Sequence, residues 1–95
     1  MVTRRTTVQN VVGFHARPIS MLIDEKRKFQ SSVTIRKGEE SCNLEDMIAL
    51  LKMQCRYGDE IYVSCEGEDE AVCLAALVNF IEQGLTDQSV RRKEE

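Results

Sequence analysis

Gly13-Phe14-His15-Ala16-Arg17-Pro18-Ile19-Ser20-Met21-Leu22-Ile23 is the stretch where an extended chain turns into a helix. Pro18 stands in what would be the first helical turn, where its missing N–H costs no backbone bond. Ile19, Leu22 and Ile23 recur at helical spacing and define one apolar face. Asp24 to Lys28 closes the segment, with Lys26, Arg27 and Lys28 at the negative pole of the helix. Upstream, residues 3–9 are rich in Thr and carry Val8, which suits a strand. Asn10 to Phe14 connects the two elements and contains Gly13.

Working towards the C-terminus, Ser32 to Arg36 alternates Val33 and Ile35 with polar neighbours. Lys37-Gly38-Glu39 is a turn and Glu40 to Asn43 a short return strand, so the pair predicts a hairpin. Asp46 to Leu51 is a short apolar helix led by acidic residues, which fits both capping and the helix dipole. After the turn Tyr57-Gly58-Asp59, Glu60 to Glu66 places Ile61, Val63 and Cys65 on one strand face. Asp69 reads as the N-cap of a last helix whose face is Leu74, Leu77, Val78 and Ile81, with Gly84 to end it. The order β-α-β-β-α-β-α, with half-apolar strands, predicts an α+β domain whose helices cover one sheet face. Residues 1–85 form that domain, and residues 86–95 read as a polar, loose tail.

The composition fits this reading: 95 residues, 42% hydrophobic and 31% charged, describe one folded unit of ordinary size. A net charge of −3 gives no global attraction to nucleic acid or anionic lipid. No apolar run is long enough to span a bilayer, and the charged N-terminus is not followed by a signal-like apolar stretch. Cys42, Cys55, Cys65 and Cys73 form no Cys-x-x-Cys pair, so reduced, mostly buried thiols in a cytoplasmic protein are expected, and no metal site.

His15 is the only histidine and falls at the N-cap of the first helix. The amides of a first helical turn lack intrahelical partners and carry partial positive charge, which makes an anion site. Arg17 adds a permanent charge whose forked donors match phosphate oxygens. A nucleophilic imidazole in such a place suits capture of a phosphoryl group, with no cofactor required.

Gly13-Phe14-His15-Ala16-Arg17-Pro18-Ile19-Ser20 resembles the active-site signature of HPr, the histidine-containing phosphocarrier family of the bacterial sugar phosphotransferase system. The resemblance extends over residues 3–85, through the short second helix and the Gly67-Glu68-Asp69-Glu70 turn. It implies an open-faced sandwich of four antiparallel strands with three helices on one face. It also implies that His15 accepts a phosphoryl group on Nδ1 from Enzyme I and passes it to the IIA unit of a sugar permease. Arg17, with the amides of Ala16 and Arg17, would steady that group. Such a protein is a carrier and not an enzyme.

Two positions depart from the family pattern. Val12 stands where the family commonly has a small polar residue before the glycine, which removes a hydrogen bond near His15. Asp46 stands where Gram-positive members carry a regulatory serine. Asp46 reads either as a plain helix N-cap or as a built-in charge imitating phosphoserine, although a phosphate carries nearly two charges. The second reading makes the chain a regulatory relative that acts in catabolite control, with a catabolite repressor as partner. Met47, Ile48 and Leu51 fall near His15 in the family fold and are expected to form an apolar docking patch for Enzyme I and the IIA unit.

Overall fold

The computed structural model describes residues 1–85, so the expected tail at 86–95 lies outside the described residues. Among the described residues, the strands are β1 (Val2–Thr7), β2 (Ser32–Lys37), β3 (Glu40–Asn43) and β4 (Glu60–Glu66). The helices are α1 (Ala16–Lys26), α2 (Met47–Met53) and α3 (Glu70–Glu82). The strands form one antiparallel sheet in the order β1-β4-β2-β3, and the three helices cover one face of it. This is the element order that the sequence predicts and the open-faced sandwich that the resemblance implies.

The sheet register explains the alternation. Val33 lies opposite Cys65 and Ile35 opposite Val63, and all four are buried under the helices. Their neighbours face the other way: Thr34 lies opposite Ser64 and Arg36 opposite Tyr62. On that uncovered face the Thr3 and Ser64 hydroxyls share a 2.8 Å hydrogen bond. The Arg36 guanidinium stacks 4.2 Å from the centre of the Tyr62 ring, a cation–π contact. Ile19, Leu22 and Ile23 of α1 and Leu74, Leu77, Val78 and Ile81 of α3 close the core from above. Burying each such side chain contributes about 1.5–3 kcal/mol.

Strand β1 stops two residues earlier than its composition suggests. Its ladder ends at Thr7 opposite Glu60, the first residue of β4. Val8 then bonds to the turn instead: its amide donates to the Asp59 carbonyl and its carbonyl accepts from the Gly58 amide. Helix α2 runs two residues further than expected, because Met53 still has a core to enter. It ends on Gln54, whose φ of 54° is left-handed. Lys37 secures this end by donating to the carbonyls of Met53 and Gln54 at 3.3 and 3.0 Å, while pairing with Asp59 at 3.0 Å. A cation there offsets the negative helix pole. The left-handed conformation costs a side chain about 1–2 kcal/mol, and glycine forfeits about 0.5–1 kcal/mol of that in chain entropy. Gln54→Gly is therefore expected to stabilise the fold by about 0.5–1 kcal/mol, read as a higher urea midpoint with an unchanged slope.

Gly84 does end α3. At φ +85° it lets its amide reach the Ile81 carbonyl (3.0 Å) and the Leu85 amide reach the Phe80 carbonyl (3.1 Å). Asp69 occupies the N-cap position but makes no side-chain cap bond. Its carboxylate turns instead to the loop between α1 and β2, accepting from the amides of Gln30 (2.8 Å) and Ser31 (3.0 Å) and from the Ser31 hydroxyl. Those donors, the Ser31 hydroxyl foremost, hold the Asp69 carboxyl below its ordinary value of 3.8. A lowered folded value means that the stabilisation is complete above the ordinary value and drains as pH falls through the folded one. Acid unfolding should therefore steepen below about pH 4, and Asp69→Asn should flatten that limb when melting is followed from pH 6 downward.

The four cysteines are free thiols: Cys55, Cys65 and Cys73 are buried and Cys42 is half-buried. Burial pushes the Cys55 thiol up to about 11 and that of Cys65 up to about 12, so both stay protonated at neutral pH and pack as small apolar groups.

Candidate functional site

The site is built where the loop after β1, the start of α1, the end of α2 and the end of α3 converge. Gly13 is the pivot. Its φ of +76° suits glycine, and a Cβ there would lie 2.6 Å from the Cys55 carbonyl oxygen. That same oxygen accepts from the Phe14 amide at 2.9 Å, which ties the loop to the residue two positions beyond α2. The left-handed Gln54 is what turns the chain so that Cys55 meets the loop.

His15 follows in an extended conformation (φ −95°, ψ 177°) as the N-cap of α1. Its carbonyl accepts from the Ile19 amide at 3.0 Å, which begins the helix. Its side chain makes no capping bond to the helix, and its imidazole is exposed. Helix geometry leaves the amides of Ala16 and Arg17 without intrahelical acceptors, and Pro18 has no amide to add. No acidic residue stands in the first turn to neutralise this positive pole. Arg17 is exposed, and among the described residues no carboxylate pairs with it. The site thus holds a nucleophile, a helix pole and an uncommitted guanidinium, all of which suit a phosphoryl group.

His15 stands on the rim between two hollows. One, of about 670 Å³, lies between the loop, α1 and the end of α3, and its lining includes Asn10, Val12, Arg17, Met21 and Leu85. The other, of about 320 Å³, is lined by Phe14, Leu51, Gln54, Cys55 and Arg56 among others. Around them the surface is apolar: Val11 is 87% exposed, Val12 61%, Ile48 66% and Leu51 37%. Of the expected docking residues, Ile48 and Leu51 face outward, whereas Met47 is half-buried and packs against the core. Asp46 caps α2, its carboxylate accepting from the Ala49 amide at 3.2 Å. Beside it Glu45 pairs with Lys26 (2.6 Å) and Arg27 (3.6 Å), joining the end of α1 to the start of α2. Among the described residues no cluster of His, Cys, Asp and Glu could hold a metal ion, and no helix is long and apolar enough to cross a membrane.

The sequence pattern leaves Asn10, Gln54, Cys55 and Leu85 out of the site. Only the Gly13 motif hints at a close backbone approach, and it does not say which segment approaches.

Residues 2–83 match the family model described as "PTS HPr component phosphorylation site". The chain is 33% identical over 86 residues to the phosphocarrier protein HPr of Lysinibacillus sphaericus, covering 90% of this chain and 98% of that protein. It is 30% identical over 83 residues to the HPr-like protein Crh of Halalkalibacterium halodurans, covering 87% of this chain and 99% of that one. The crystal structure of HPr-C-His from Thermoanaerobacter tengcongensis superposes with a TM-score of 0.85 at 26% identity, over 92% of this chain and 98% of that one. The chain therefore belongs to the HPr family, whose phosphocarrier proteins are carriers and not catalysts.

Proposed function

We propose that this protein is a cytoplasmic phosphocarrier that accepts a phosphoryl group on His15 from Enzyme I and passes it to the IIA units of sugar permeases. The observation that carries this reading is the uncapped, exposed His15 imidazole at the N-terminus of α1, close to an exposed Arg17 that pairs with no carboxylate among the described residues. In the forward step the lone pair of His15 Nδ1 forms a bond to phosphorus as the bond between phosphorus and the donor group on Enzyme I breaks, its electron pair leaving with that donor. The amides of Ala16 and Arg17 and the Arg17 guanidinium hold the charge that arrives. Ile48 and Leu51 supply apolar contact for both partners, with Met47 supporting them from beneath.

A regulatory reading is favoured by one feature, Asp46. Its carboxylate is a fixed charge on the N-terminal turn of α2, and a serine cannot be phosphorylated where there is none. In that reading the protein acts in catabolite control, alongside a repressor, as an HPr-like relative.

The test is incubation with Enzyme I and phosphoenolpyruvate. The expected product is an acid-labile, alkali-stable phosphoryl group that is absent in His15→Ala. No modification would overturn the proposal. Onward transfer to a IIA unit supports sugar transport, while a charged protein that transfers nothing supports regulation.

A further inference from the structure

Asn10 lies beneath the turn that leads to His15, only 9% exposed. It holds Gly13 twice. Its carbonyl accepts from the Gly13 amide at 3.0 Å, and its side-chain Nδ2 donates to the Gly13 carbonyl. That Gly13 oxygen is also the acceptor for the His15 amide, at 3.0 Å. The Asn10 side chain and the His15 main chain therefore meet on one atom, and the His15 carbonyl then starts α1 through Ile19. The intervening Val11 and Val12 are exposed and have no side-chain donor to offer the turn.

Among the described residues the Asn10 Oδ1 is buried without a hydrogen-bond partner. What the residue does provide is a fixed Gly13 carbonyl, and with it a fixed origin for the His15 backbone.

We propose that Asn10 is a positioning residue for His15: through the Gly13 carbonyl it sets where the imidazole stands, without touching the phosphoryl group. This rests on the phosphocarrier reading above. It predicts a loss in the transfer step and not in docking, because Asn10 is buried while the partner-facing side chains are on the surface.

Two variants test it. Asn10→Asp keeps the shape but replaces the donor with an acceptor, and Asn10→Ala removes donor and unpaired oxygen together. The maximal rate of phosphorylation by Enzyme I should fall about tenfold in both, since small misplacements of a reacting group cost that much or more. The protein concentration giving half-maximal rate should stay near that of the wild type. Amide hydrogen exchange should quicken at His15 while β4 amides keep their protection. An unchanged maximal rate overturns the proposal, and so does exchange at His15 that rises only in step with β4, which would mark a merely structural role. The exchange measurement needs no partner protein. If the wild type is never phosphorylated, the functional reading fails, while exchange still decides whether Asn10 fixes His15.

Discussion

Gly13→Ala is expected to destabilise the fold by about 2–4 kcal/mol and to remove most phosphoryl acceptance by His15. Two effects add. The left-handed φ of +76° costs any residue with a Cβ about 1–2 kcal/mol. The new Cβ would also meet the Cys55 carbonyl oxygen at 2.6 Å, with the Arg56 Cα at 3.1 Å, and both neighbours are backbone. Neither can rotate away, so the loop must shift and strain its Phe14–Cys55 bond, and His15 lies two residues on. Gly38 supplies the control: its φ is +62°, yet nothing lies within 4 Å of a Cβ there. Gly38→Ala should show the conformational cost alone and leave acceptance intact. Urea unfolding of both variants, paired with the Enzyme I assay, separates the two contributions. Equal stability losses would refute the steric account.

Arg17→Ala is expected to slow phosphoryl acceptance about 10- to 100-fold, the worth of a charge-assisted hydrogen bond of about 1.5–3 kcal/mol. Stability should barely move, within about 0.5 kcal/mol, because the side chain is exposed and its guanidinium pairs with no carboxylate among the described residues. Arg17→Lys should recover only part of the rate, since a point charge lacks the planar fork that grips two phosphate oxygens. The kinetic effect should shrink as salt is added for the lysine variant and the wild type alike. An alanine variant that accepts phosphoryl groups at the wild-type rate would assign the charge stabilisation to the helix amides alone.

The elements were legible because their physics is local. Val33 and Ile35 alternate because the sheet has one buried face, and Ile19, Leu22 and Ile23 share a stripe because a helix repeats every 3.6 residues. Caps and stops were nearly as clear: Asp46 and Gly84 do at α2 and α3 what their chemistry suggests. Asp69 marks where that logic weakens. A carboxylate at a helix start goes to whichever donors come nearest, and here those are Gln30 and Ser31, nearly forty positions away in the chain. The end of β1 is not legible in the sequence for a similar reason, since a strand stops where its partner stops and nothing near Val8 encodes the position of Glu60.

The residues before and within α1 determined by themselves that a histidine, an arginine and a helix pole would stand together, because all three lie within one turn of chain. Only the tertiary structure decided what surrounds them. It set Gly13 against the Cys55 carbonyl, brought Leu85 from the end of α3 to the His15 hollow, and drew Met47 partly into the core while leaving Ile48 outside. It also put a buried Asn10 behind the loop, where Val12 has no polar group to offer. These are contacts between segments far apart in sequence or turned inward by packing. No local periodicity encodes them, because they depend on how the helices settle on the sheet.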